Sequence, residues 1–228
     1  LNTLNLQTTK MKPTSNPWAF TILIFSFIHV SYSLTNLDPE PVLDAKGLQV
    51  LPTTPYYILP ARRGKGGGLD LGFIGNNKTC SSGVIQQPNS KSFGFPVFIS
   101  PVRDDYIRVS ADVNIVFGFA VVTMPASKSP PCLRYSGSPT LAWQVSSFDK
   151  KAKQFFVKPG GKGGLADPSS AFKIEKLNKD YILRFCPSCP NCRVVCRDLG
   201  IYNDNGVRRL VLSDVPFPIK FDSSPFTN

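Results

Sequence analysis

Histidine is nearly missing from this sequence: His29 is the only one in 228 residues. It stands in an apolar stretch near the N-terminus that reads as a cleaved export signal, so the mature chain is expected to hold no imidazole. That absence excludes Ser/His/Asp and Cys/His nucleophilic machinery, histidine-ligated zinc and any switch driven by histidine titration. No membrane-spanning length appears here either, because the apolar run Ala19–Val30 has twelve residues, against the roughly 20 that a helix needs to cross a bilayer. Negative charge is scarce, with 15 Asp plus Glu against 26 Lys plus Arg and a formal net charge of +11. Sustained 3.6-residue periodicity with capping signals is absent, which argues against helical fold classes.

What is present begins with a targeting pattern. Residues 1–10 precede Met11 and read as an upstream extension or artefact. From Met11 the chain runs through Lys12 and Trp18 into Ala19–Val30, then Ser31-Tyr32-Ser33, whose small alternate residues suit signal peptidase. Cleavage after Ser33 is expected. The product, residues 34–228, keeps 24 basic and 15 acidic side chains and a net charge of +9. Secretion to the extracellular or apoplastic space, or to the vacuole, follows, with no membrane association once the signal is gone. Asn77-Lys78-Thr79 is a glycosylation acceptor on that route. The basic residues are dispersed rather than arranged as a stripe with interleaved aromatics, so nucleic acid is not an expected partner.

Short apolar segments recur between turn residues and alternate with period two. They predict strands at Tyr56–Leu59, Tyr106–Val109, Val113–Phe117, Phe172–Glu175, Tyr181–Phe185, Leu210–Leu212 and Phe217–Phe221. Asn203-Asp204-Asn205-Gly206 is the best hairpin signal. The pattern is that of an all-β sandwich or barrel in one domain, residues 34–228. The glycine clusters 64–68 and 160–164 match no phosphate-loop pattern and read as mobile turns between strands.

Six cysteines remain to be placed. Cys186, Cys189, Cys192 and Cys196 have the C-x2-C-x2-C-x3-C spacing of an iron–sulfur ligand set. Arg197 stands where proline usually follows, no second run exists, and an exported chain meets an oxidising space. Three disulfides with no thiol left over are therefore expected, and neither a metal nor another cofactor. Fifteen pairings are open. The economical start joins the two isolated residues, Cys80 with Cys132, and leaves Cys186–Cys196 as an outer staple around Cys189–Cys192.

Ordered segments of the mature chain carry a resemblance. Pro41-Val42-Leu43-Asp44 with Gly47, Tyr56–Pro60, Arg63–Leu69, Arg108–Ser110, Asp112–Ile115, Trp143, Gln154–Val157, Phe172–Glu175, Tyr181–Pro187, Cys196–Ile201, Arg208–Leu210 and Leu212–Asp214 are similar to the plant Kunitz-type, soybean-trypsin-inhibitor-like family. Within it the chain resembles the miraculin-like branch. The resemblance implies a β-trefoil of twelve strands, six closing a barrel and six capping it, and a protein that is not an enzyme. It also implies the pairings Cys80–Cys132, Cys186–Cys196 and Cys189–Cys192. Inhibitory members offer a protease an exposed loop as an imitation substrate, and the matching residues here are Pro101, Val102, Arg103 and Asp104. The implied partner is an endopeptidase, of the serine class before the cysteine class, and the inhibitor is expected to be a monomer. Asp104 and Asp105 depart from the apolar or basic residues that trypsin inhibitors carry after the basic one. The alternatives on the same scaffold are a non-inhibitory binding or storage protein and a cysteine-protease inhibitor that uses another loop.

Overall fold

Tyrosine, isoleucine and phenylalanine at alternate positions make one face of each strand apolar, and burying those faces together closes a barrel. The computed structural model describes residues 40–62, 64–74, 82–118, 141–189 and 195–224. These all fall within one compact unit, Pro39–Asn228. The extension 1–10, the signal 11–33, the acceptor Asn77 and three of the cysteines, Cys80, Cys132 and Cys192, lie outside the described residues.

Twelve strands are present among them: β1 (Tyr57–Pro60), β2 (Leu69–Phe73), β3 (Ser82–Gln86), β4 (Val97–Pro101), β5 (Asp112–Phe117) and β6 (Ala142–Val145), followed by β7 (Val157–Gly161), β8 (Phe172–Leu177), β9 (Asp180–Phe185), β10 (Arg197–Asp204), β11 (Val207–Ser213) and β12 (Ile219–Asp222). Their pairing is antiparallel throughout and resolves into two sets. In the first, β1 pairs with β12, β12 with β9, β9 with β8, β8 with β5 and β5 with β4. The bridge between Tyr56 and Val97 then returns β4 to β1, so six strands form a closed ring without an edge. In the second set, the hairpins β2–β3, β6–β7 and β10–β11 meet across the end of that ring, through Arg209 opposite Ile85 and Phe156 opposite Val211. Six barrel strands and three capping hairpins make a β-trefoil.

The barrel interior is filled by fully buried Ile58, Ile99, Ile115, Phe172, Ile174, Leu183 and Phe221. They come from all six barrel strands at alternate positions, as the pleat requires. Between β10 and β11 the turn residues Asn205 (φ 51°) and Gly206 (φ 88°) both take positive φ, the geometry of a two-residue type I′ hairpin. Asparagine followed by glycine is favoured there because both tolerate that region.

Two readings of local sequence are corrected by packing. Tyr106–Val109 is not a strand: Ile107 is buried, but the backbone makes a single bridge, Arg108 to Pro41, and then turns through Ser110 at φ 64°. The glycine clusters are turns only at their outer ends, where Gly64 (φ 77°) and Gly164 (φ 73°) are exposed. Gly67 and Gly68 are buried, and a side chain on Gly68 would meet the carbonyl oxygen of Phe93 at 2.0 Å. Gly160 and Gly161 lie inside β7, where a Cβ on Gly161 would meet the Ser170 hydroxyl at 1.9 Å.

Among the described residues helical geometry is limited to short 3-10 turns, and the one at Pro168–Ser170 is held by Asp167. The Asp167 carboxylate accepts from the amides of Lys162 (2.7 Å) and Ser169 (3.2 Å) and from the hydroxyls of Ser169 (2.5 Å) and Ser170 (2.6 Å). Burial pushes its pKa up, but the hydrogen bonds from the two serines and the two amides outweigh it, and the pKa falls below the ordinary 3.8. A carboxylate depressed in the folded state contributes stability that is complete above its unfolded value and is lost as pH falls through the folded one. Asp167→Asn should therefore lower stability near neutrality and flatten the acid limb below about pH 4, read from urea midpoints measured across pH.

Candidate functional site

The connection from β4 to β5 is the part of the barrel end that carries Pro101–Asp104. Proline ends β4 at Pro101, opposite Val113, and the Val102 amide donates to the Asp112 carbonyl at 2.9 Å, which closes the loop base. From there the chain bends outward through Arg103, Asp104 and Asp105, and returns when Ile107 enters the core. Ile107 also accepts from the Val42 amide at 3.2 Å, and the Ser110 amide donates to the Ile174 carbonyl at 2.9 Å. The Arg108 guanidinium lies 3.8 Å from the centre of the Tyr106 ring, a cation–π contact inside the loop itself. The result is a short exposed bend on two anchored legs.

Arg103 and Asp105 are exposed, and Asp104 is half-buried. Neither carboxylate forms an ion pair with Arg103. Its guanidinium Nη2 instead donates to the carbonyl of Ser188 at 3.0 Å. Ser188 belongs to the cysteine run, where the structure joins Cys186 to Cys196 and where Cys189 is also disulfide-bonded. This segment is held against the loop by a polar cluster. The Ser188 amide donates to Asp112 Oδ2 at 2.9 Å, and the Lys173 ammonium donates to the Ser188 hydroxyl at 3.0 Å and to the Ser110 carbonyl at 2.9 Å. Lys173 Nζ also lies 3.6 Å from Asp112 Oδ1, which makes no hydrogen bond although its side chain is only 6% exposed. The Ser188 amide and the Lys173 ammonium replace part of the hydration that this carboxylate loses on burial.

The loop and the stapled segment thus form one unit, although they are about 85 residues apart in sequence. Ser188, Asp112 and Lys173 are missed by sequence reasoning. Asp112 and Lys173 look like the polar half of alternating strands, and Ser188 looks like spacer between cysteines. The one available signal is the crowding of four cysteines between 186 and 196, which predicts a stapled segment without showing what it braces. Among the described residues no three His, Cys, Asp or Glu side chains converge as a metal site requires. What the arrangement offers chemically is a presented cation on a constrained backbone.

Comparison with known proteins places this geometry. The profile of the Kunitz legume family, described as trypsin and protease inhibitor, matches residues 42–223. The chain is 38% identical over 205 residues to Kunitz trypsin inhibitor 5 of Arabidopsis thaliana, covering 88% of this chain and 94% of that protein. It is 36% identical over 227 residues to miraculin of Synsepalum dulcificum, with 90% and 98% covered. Among solved structures, the Kunitz-type cysteine protease inhibitor PCPI-3 from potato superposes with a TM-score of 0.63 at 29% identity, over 81% of this chain and 97% of that one.

Proposed function

The chain belongs to the Kunitz family of plant trypsin and protease inhibitors, in its miraculin-like branch, and we propose that it is a secreted inhibitor whose Pro101–Asp104 loop occupies the cleft of a serine endopeptidase. The observation that carries this reading is the exposed Arg103 at the tip of a bend whose two legs are fixed to the barrel. A guanidinium fits a pocket floored by a carboxylate, where its planar fork makes paired, charge-assisted hydrogen bonds. Leaving Ser188 costs about 1 kcal/mol for one neutral acceptor, which such a pair offsets. Because the loop is already held in shape, little ordering entropy is lost on binding, and the ends of a cut bond would stay together. Export by the signal at residues 11–33, glycosylation at Asn77 and action as a monomer complete the proposal.

The two carboxylates after Arg103 set its limits. On docking, at least Asp104 would lose water against the enzyme without a cation of its own to meet, a cost of one to several kcal/mol by the rule for unpaired buried charge. Asp104→Ile should accordingly tighten inhibition of a trypsin-like enzyme by about tenfold or more, measured as the inhibition constant with Arg103 unchanged.

The likeness to the potato cysteine protease inhibitor favours a second reading in which another loop blocks a papain-like cleft. One experiment separates the readings: titration of the purified protein against trypsin-like, chymotrypsin-like and papain-like enzymes. Stoichiometric inhibition of the trypsin-like enzyme supports the Arg103 loop. Inhibition of the papain-like enzyme alone replaces it with the second reading, and inactivity against all three leaves a binding or storage protein.

A further inference from the structure

Away from the Arg103 loop, the end of β1, the following loop, the β10–β11 hairpin and the segment before β12 enclose a groove of about 470 Å³. Its wall is apolar, formed by Ile201, Phe217 and three prolines, with Val215 at 76% exposure beside them. Its rim is cationic, formed by Arg62, Lys65 and Arg208. Among the described residues none of these three is paired with a carboxylate. The acidic residue next to the groove, Asp214, is engaged by Arg197 at 3.2 Å.

Arg208 is not a loose surface cation. Gln86 is 1% exposed, and its side-chain oxygen accepts from both Nε and Nη2 of Arg208. The Gln86 amide nitrogen in turn donates to the carbonyls of Lys65 (2.8 Å) and Gly67 (3.0 Å). The Lys65 carbonyl also accepts from Arg208 Nη2 at 3.3 Å. A buried amide therefore fixes the loop and the guanidinium together and, among the described residues, leaves both Nη1 hydrogens without an acceptor. Fixing a long side chain beforehand removes much of the entropy cost that a ligand would otherwise meet. Pockets for small ligands commonly fall at roughly 300–1,000 Å³ and pair an apolar wall with a few oriented polar groups.

We propose that this groove binds a small amphipathic anion, with its carboxylate or sulfonate on Arg208 and Lys65 and its apolar body against Ile201 and Phe217. The site shares no lining residue with the Arg103 loop, so it stands or falls independently of protease inhibition. Two opposed contributions are needed at once. The charge selects the rim, and the flat hydrocarbon selects the wall, so a bare anion or a neutral hydrocarbon should each bind poorly.

The test is a titration of isotope-labelled protein by NMR with 2-naphthoate, with the neutral 2-naphthylmethanol and with inorganic phosphate. Saturable shifts of the Ile201, Val215 and Phe217 amides are expected with 2-naphthoate, and binding at least about tenfold weaker with the other two. Arg208→Gln should weaken 2-naphthoate binding by about tenfold. Because that change also disturbs Gln86, the exposed pair Arg62→Gln with Lys65→Gln serves as a second variant, with the same direction expected and protease inhibition unchanged. Equal affinity for acid and alcohol, wild-type affinity in the double variant, or shifts scattered over the whole surface would each overturn the proposal.

Discussion

Arg103→Ala is expected to weaken inhibition of a trypsin-like enzyme by about a thousandfold, equivalent to roughly 4 kcal/mol, the scale of a buried charged anchor at the centre of an interface. The change removes the only cation at the tip of the bend. In the free protein the side chain makes one hydrogen bond among the described residues, to the Ser188 carbonyl, and it is exposed. Folding stability should therefore move by no more than about 0.5 kcal/mol, as for other surface substitutions. The split between a large loss of inhibition and an unchanged melting temperature distinguishes a contact residue from a structural one. Arg103→Lys should fall between, because an ammonium keeps the charge but loses the fork. The measurement is a tight-binding titration of each variant with a chromogenic arginine substrate. An inhibition constant for Arg103→Ala within threefold of wild type would show that the cleft is filled by some other part of the trefoil.

Much of the barrel is legible in the chain because its signals are local. Phe172 and Ile174 in β8, and Ile219 and Phe221 in β12, alternate with polar neighbours and bury the face that the alternation predicts. Asn205-Gly206 announces its own turn. Tyr106–Val109 carries a similar apolar alternation and misleads, since Ile107 is an anchor for a loop and, among the described residues, the segment makes only the single bridge from Arg108 to Pro41. Outside the β10–β11 hairpin, capping strands escape for the opposite reason. β2, β3 and β7 contain glycine where another element approaches the backbone: Gly72 sits against the Ile85 side chain and Gly161 against Ser170. Sequence rules treat such glycines as strand breakers, whereas here close packing requires them. The threefold closure is carried by pairings such as Tyr57 with Asp222, across nearly the whole domain, and no local pattern encodes it. The same distinction divides the site. Arg103 is reached through resemblance of ordered motifs, but the brace made by Ser188, Asp112 and Lys173 depends on side chains brought together from three separate stretches.

Phe221→Ala is expected to destabilise the fold by about 3–5 kcal/mol, the range for truncating a fully buried aromatic ring. Phe221 is 0% exposed and sits where β12 meets both β1 and β9. Its ring contacts Tyr56 edge-on at 6.5 Å and Tyr181 in a tilted arrangement at 6.0 Å. Each such aromatic pair adds about 0.5–1.5 kcal/mol beyond area burial. The two tyrosines cannot simply swing into the cavity, because their hydroxyls accept the amides of Leu51 (3.0 Å) and Leu43 (2.9 Å). Collapse would therefore break the bonds that hold the segment from Leu43 to Leu51 on the barrel. A site that cannot relax lies toward the upper end of the range. Against a total stability of about 5–15 kcal/mol for a domain, such a loss brings unfolding close to physiological temperature. Urea denaturation with the disulfides intact gives the difference directly, and Phe221→Leu, which keeps most of the volume, should cost less than about 1.5 kcal/mol. The folded fraction of Phe221→Ala at low temperature should still inhibit with the wild-type constant, because the Arg103 loop is anchored through Ile107, Asp112 and Ser188, none of which is bonded to Phe221. An inhibition constant that worsened in step with stability would mean that the barrel centre sets the shape of the loop, and that the anchors at its legs are not sufficient.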